Sequence, residues 1–165
     1  GILWVSSRLS SPTTLTPEHF CDWYENTHIQ EVTALPGVPR AARYEAIIPQ
    51  PSDTTWSSAA PYLTIYELPD LSYRHTPAFK SLDGQSPPSP NLLSTIFLQS
   101  RFDTRFYRQT QSFSLDPTSS TPAKLLISAA LEPPPDAVAE HDFDAWYREE
   151  HIRVLSKVPG YVRTR

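Results

Sequence analysis

The 165-residue chain carries 14 Lys and Arg against 18 Asp and Glu, a net charge of −4, with 39% hydrophobic residues. That apolar share can build a core and excludes a chain disordered throughout. The acidic balance, without a basic stripe, excludes a nucleic-acid partner, and no run of 18 apolar residues offers a membrane span. The first residues, GILWVSSR, lack the features of a secretory signal, and the single cysteine, Cys21, fits a reducing, cytoplasmic setting. Eighteen prolines and four glycines predict long, stiff surface loops, and the absence of methionine leads us to expect that the translated protein is longer than this sequence.

In chain order, the apolar run 2–8 reads as a strand and 10–15 as a polar loop. Thr16-Pro17-Glu18-His19 is a helix start, with Thr16 as N-cap and Pro17 in the first turn. The helix is expected to run to about Leu35, where Pro36-Gly37 stops it. A strand over 38–48, a polar loop over 50–60 and a strand over 61–68 follow. In the last strand Tyr62, Thr64 and Tyr66 share one face. A short helix is expected near 77–82, then a proline-rich insertion at 86–90, an apolar stretch at 92–98 and a fourth strand over 101–113. The fold class is therefore α+β, with the ferredoxin-like βαββαβ order.

The sequence then repeats itself. At an offset of 123 residues, Trp23-Tyr24-x3-His28-Ile29 recurs as Trp146-Tyr147-x3-His151-Ile152, Pro36-Gly37 as Pro159-Gly160, and Phe20 as Phe143. The expected organisation is a first repeat over 1–114, a linker over 115–123, and a second repeat over 124–165 that is incomplete. That second repeat should supply a strand at 124–131, a helix at 141–158 and an opening strand at 161–165.

On a wheel of 100° per residue, Phe20, Tyr24, Thr27, His28, Glu31 and Leu35 lie on one side of the first helix, as do Phe143, Tyr147, Glu150, His151, Val154 and Val158 of the second. Each histidine thus stands beside the stripe that meets the sheet, where burial would lower its pKa and leave a neutral ring. Tyr24 and Tyr147 each precede a histidine by one turn and could orient it or polarise a carbonyl. The competing reading is that both histidines are core residues and that the Trp and Tyr rings anchor each helix. Cys21 has no basic partner readable from the sequence, and the five histidines show no paired metal-ligand spacing.

The pattern Phe20-x2-Trp23-Tyr24-x3-His28-x7-Pro36-Gly37-Val38, closing with Arg43-Tyr44, resembles the EthD-like branch of the dimeric α+β barrel superfamily. The resemblance covers most of residues 1–113 and the visible part of 124–165. It implies two ferredoxin-like repeats per chain whose antiparallel sheets form an α+β barrel, as an intrachain pseudo-dimer, with a homodimer as a further arrangement. The proline-rich loops look more like fungal tandem versions associated with secondary metabolism.

It implies a cofactor-independent enzyme acting on a small aromatic or polyketide-like substrate: a lyase or decarboxylase, cyclase, isomerase or monooxygenase. His28 or His151 would move the proton, with Tyr24 or Tyr147 polarising an oxygen. Phe20, Trp23, Tyr44, Tyr66 and Trp146 would contact the substrate. The alternatives are a haem-binding barrel and a non-catalytic ligand-binding or assembly module.

Overall fold

The computed structural model of the chain describes residues 1–118 and 121–165. It divides into two compact units, Gly1–Arg108 and Gln109–Arg165. The first is an α+β unit built on strands β1 (Ile2–Leu9), β2 (Ala41–Glu45), β3 (Tyr62–Glu67) and β4 (Ser100–Tyr107). They form one open antiparallel sheet in the order β2-β3-β1-β4. Leu3 stands opposite Tyr66 and Phe106, and Val5 opposite Thr64 and Thr104. Side chains alternate along each strand, so these residues and Phe102 share one face. The helix at residues 17–33 packs on that face through Phe20, Tyr24 and Val32, each at most 2% exposed. Burying each such side chain contributes about 1.5–3 kcal/mol.

The helix starts as its sequence predicts. Thr16 is extended and its hydroxyl accepts from the His19 amide at 3.3 Å, while Pro17 occupies the first turn without losing a needed donor. Its interior departs from the wheel. After an α-helical Pro17–Trp23, residues Tyr24–His28 form a π-helical turn before α-helical Ile29–Thr33 resumes. The Ile29 amide donates to the Tyr24 carbonyl, five residues back. One extra residue in a turn carries the buried face forward by one position. Val32 is therefore buried where Glu31 was expected, and Thr27 and Glu31 are exposed.

Gly37 ends this helical segment for a packing reason. A Cβ there would run into the Tyr73 ring. Its counterpart Gly160 has open space around it but a φ of +87°, which L-residues avoid.

Several boundaries differ from expectation. The strand expected over 38–48 forms only at Ala41–Glu45, because Pro39 lacks an amide and the pairing with β3 ends there. The 50–60 loop contains a helical turn, Trp56–Ala59, whose indole donates to the Ser6 hydroxyl at 2.7 Å on the other sheet face. Helical turns also form at Pro77–Lys80 and Pro90–Thr95, each with a Ser or Thr hydroxyl as cap. The fourth strand stops at Tyr107. Phe113–Ser114 (β5) instead pairs antiparallel with Arg163–Thr164 (β6) in the second unit.

In that second unit, the helix begins at Ala137, four residues before its expected start, because Asp136 caps it by accepting from the Val138 and Ala139 amides. Helical Ala137–Trp146 passes into a π-helical turn Tyr147–His151 and then Ile152–Leu155. Ile152 is buried and Val154 exposed, the same one-residue advance as in the first helix. The expected strand 124–131 does not form: Leu125, Ile127 and Leu131 are more than half exposed. A strand needs a partner for its backbone groups, and none of the described residues pairs with this run. Of the expected 115–123 linker, Ser119 and Ser120 lie outside the described residues. No sheet among the described residues closes on itself, so the barrel is not seen.

Candidate functional site

A cavity of about 260 Å³ lies within the first unit, between the helix and the sheet. Its floor is Leu3, Val5, Tyr66, Phe102 and Thr104 of the shared sheet face; Trp23, Tyr24, His28 and Val32 of the helix cover it. Phe79, Phe97 and the segment 82–85 complete the wall. The lining draws on both apolar clusters of the unit, so the hollow sits where their packing is incomplete. Thr104, Gly84 and Gln85 are exposed, which places the mouth between the edge strand β4 and the 82–85 segment.

The π-helical turn arranges the polar groups. It brings His28 beneath Trp23, five residues earlier, with ring centroids 5.1 Å apart and planes 21° apart. Tyr24 meets the same imidazole edge-on at 5.2 Å. Phe20 packs against Trp23 and Tyr24 at 6.1 and 5.5 Å. Burial holds the His28 pKa down, from 6.5 to about 4, so the ring is neutral at neutral pH. Burial also pushes the Tyr24 and Tyr66 phenols up, keeping both protonated. Thr64 and Tyr66 are near enough to Tyr24 to temper its shift. Even so, Tyr24 Oη, Tyr66 Oη and His28 Nδ1 are buried without a hydrogen-bond partner among the described residues. Each such group costs about 1–3 kcal/mol until something occupies it. Asp83 is the one charged side chain among the described residues of the lining.

Of the residues singled out from the sequence, Trp23, Tyr24, His28 and Tyr66 come together around this cavity. Phe20 does not line it; fully buried, it supports the helix rings from behind. Tyr44 does not line it either: it alternates with Arg43 on β2 and faces the other side of the sheet. Arg43 sits by the helix, bonded to Glu25 at 2.6 Å, Glu45 at 2.8 Å and the Cys21 sulfur at 2.8 Å. This supplies Cys21 with the basic partner that its sequence neighbourhood did not reveal. Burial nonetheless pushes the thiol pKa up.

In the second unit, Trp146 and His151 stack at 4.3 Å and Tyr147 meets His151 at 4.9 Å, with Phe143 against Tyr147 at 5.1 Å. The same four rings thus recur on a second π-turned helix. Sequence reading missed Asp83, Gln85, Phe97 and Thr104. The loop residues reach the site from some fifty positions beyond the helix, with no periodic signal. Thr104 was available from the alternation of β4. Among the described residues, no cluster of three or more His, Cys, Asp or Glu is placed to hold a metal, and no helix is long and apolar enough to cross a membrane. No family model, curated protein or solved structure matches the chain.

Proposed function

We propose that the first unit is a small-molecule enzyme that moves a proton on an aromatic or polyketide-like substrate by His28 and Tyr24 without a cofactor. The observation that carries this reading is the neutral imidazole, its Nδ1 without a partner, edge-on to the buried Tyr24 phenol at a cavity walled largely by apolar residues. Such a combination of apolar wall and few converging polar groups is what a small-ligand site requires. The resemblance to EthD-like proteins supports the same reading. So does the βαββαβ order with sheet order β2-β3-β1-β4, which we read as a ferredoxin-like repeat followed by a second, partial one.

In the proposed step, His28 accepts a proton from an acidic carbon or hydroxyl of the substrate. The electron pair passes to a carbonyl oxygen, which becomes an enolate hydrogen-bonded by Tyr24. The proton then returns to the same or a neighbouring atom, giving exchange or isomerisation. A ring with a pKa near 4 is a weak base at rest. A full negative charge about 4 Å away, at an effective dielectric of about 20, stabilises the imidazolium by about 4 kcal/mol. That offsets the loss from burial, so the base strengthens as the enolate forms.

The test is deuterium exchange into 2-tetralone in D2O, followed by NMR. The protein should accelerate exchange at the carbon beside the carbonyl, His28→Ala should abolish the acceleration, and His151→Ala should retain it. Equal exchange with the His28→Ala variant, folded by circular dichroism, would contradict the assignment. The second reading, a binding module without catalysis, predicts ligand binding with no exchange.

A further inference from the structure

Building on the reading of the cavity as a ligand site, we infer that it selects an uncharged ring compound by a single oxygen held between two phenol hydroxyls, Tyr24 and Tyr66, and rejects carboxylates. Tyr66 comes from β3 and Tyr24 from the helix above it, and both are at most 2% exposed. They are near one another: after burial itself, Tyr24 is what most opposes ionisation of Tyr66. Neither hydroxyl makes a well-formed hydrogen bond, although Tyr24 and Tyr66 are close enough to each other, and Tyr24 to Thr64, to influence their ionisation, and both tyrosines line the cavity. A phenol donates one proton and also accepts, but two buried phenols satisfy each other only once. An oxygen with two lone pairs can take both donors.

The wall explains the preference for a neutral guest. Its faces are Trp23, Phe79, Phe97 and aliphatic side chains, with no Lys or Arg among the described lining residues. The only charge among them is the Asp83 carboxylate, which repels an anion. His28 Nδ1 is unpartnered and the ring is neutral, so it offers a carboxylate no positive charge. A buried anion here would lose its hydration without gaining a cation. A phenol or an enolisable ketone loses little and fills the vacant positions.

Isothermal titration calorimetry of the whole chain with naphthalene, 2-naphthol and 2-naphthoate tests this. The expected result is 2-naphthol binding at least tenfold tighter than naphthalene and at least tenfold tighter than 2-naphthoate. In Tyr66→Phe, 2-naphthol should lose most of its advantage over naphthalene. Thr104→Trp, a change at an exposed position of the mouth, should weaken both neutral probes.

Equal affinity for 2-naphthol and naphthalene, or tight binding of 2-naphthoate, overturns the selectivity while leaving the cavity as a ligand site. Binding indifferent to Thr104→Trp, or binding of none of the probes, overturns the ligand site itself. The wild-type comparison decides the selectivity even where a variant fails to fold.

Discussion

The Trp23 indole and the His28 imidazole lie nearly parallel, 5.1 Å between centroids and 21° between planes, although five residues separate them. In a regular helix, side chains three and four apart are the neighbours. The π-helical turn over Tyr24–His28 supplies the added residue that brings position five underneath. Trp146 and His151 repeat the relationship at 4.3 Å and 27°. Two helices sharing only part of their sequence thus reproduce one local geometry.

The π turn can be removed while the core and the ring stack are both kept. Deleting Thr27, which is exposed, shortens the π turn to an α turn. Val32 then stays on the face of Phe20 and Tyr24, and the histidine, now four residues after Trp23, remains its neighbour. The deletion should retain both a cooperative melt by circular dichroism and 2-tetralone exchange. Loss of exchange with the melt retained would mean that the site needs the π turn itself.

Burial of His28 makes stability depend on pH. Its folded pKa, about 4, lies below the ordinary 6.5. Between those values the unfolded chain binds more protons, so stability rises with pH across that window. The contribution is complete above about 6.5 and is lost as pH falls towards 4. Its size is about 3 kcal/mol, at about 1.4 kcal/mol for each pKa unit. Urea unfolding of wild type and His28→Gln at pH 4.5 and 7.5 checks this: the wild type should lose more stability on acidification than the variant.

Tyr66→Phe should separate stability from function. Removing a buried, unpartnered hydroxyl relieves its desolvation cost, so the variant should unfold about 1 kcal/mol less readily. It should bind 2-naphthol more weakly at the same time. A variant less stable than wild type would mean that the hydroxyl has a partner after all.

The two equivalent glycines should respond differently. Gly37→Ala forces a Cβ into the Tyr73 ring and should cost about 1–3 kcal/mol in thermal unfolding. Gly160→Ala meets no atoms within 4 Å, and its cost, about 1 kcal/mol, comes from the left-handed backbone alone. Restoring space by Tyr73→Ala should narrow the penalty at position 37.

Much of this arrangement was legible before any coordinates. The duplicated Trp-Tyr-x3-His-Ile string singled out Trp23, Tyr24 and His28, and strand alternation put Thr64 and Tyr66 on one face. Thr16-Pro17 marked the helix start because capping is local chemistry. The π turn was hidden, since a fixed angle per residue cannot register an inserted position; the buried Val32 is its only trace. Asp136 carried a capping signal that the neighbouring prolines masked. Residues 124–131 have the composition of a strand, but composition does not supply the partner that makes one. Asp83 and Gln85 reach the cavity through chain folding that no local pattern encodes.

The most direct test of the account follows the Cε1–H resonances of His28 and His151 by NMR as 2-naphthol is added at pH 7. The account predicts a saturable shift at His28 with His151 unmoved. A still His28 resonance, or equal movement of the two, would contradict it.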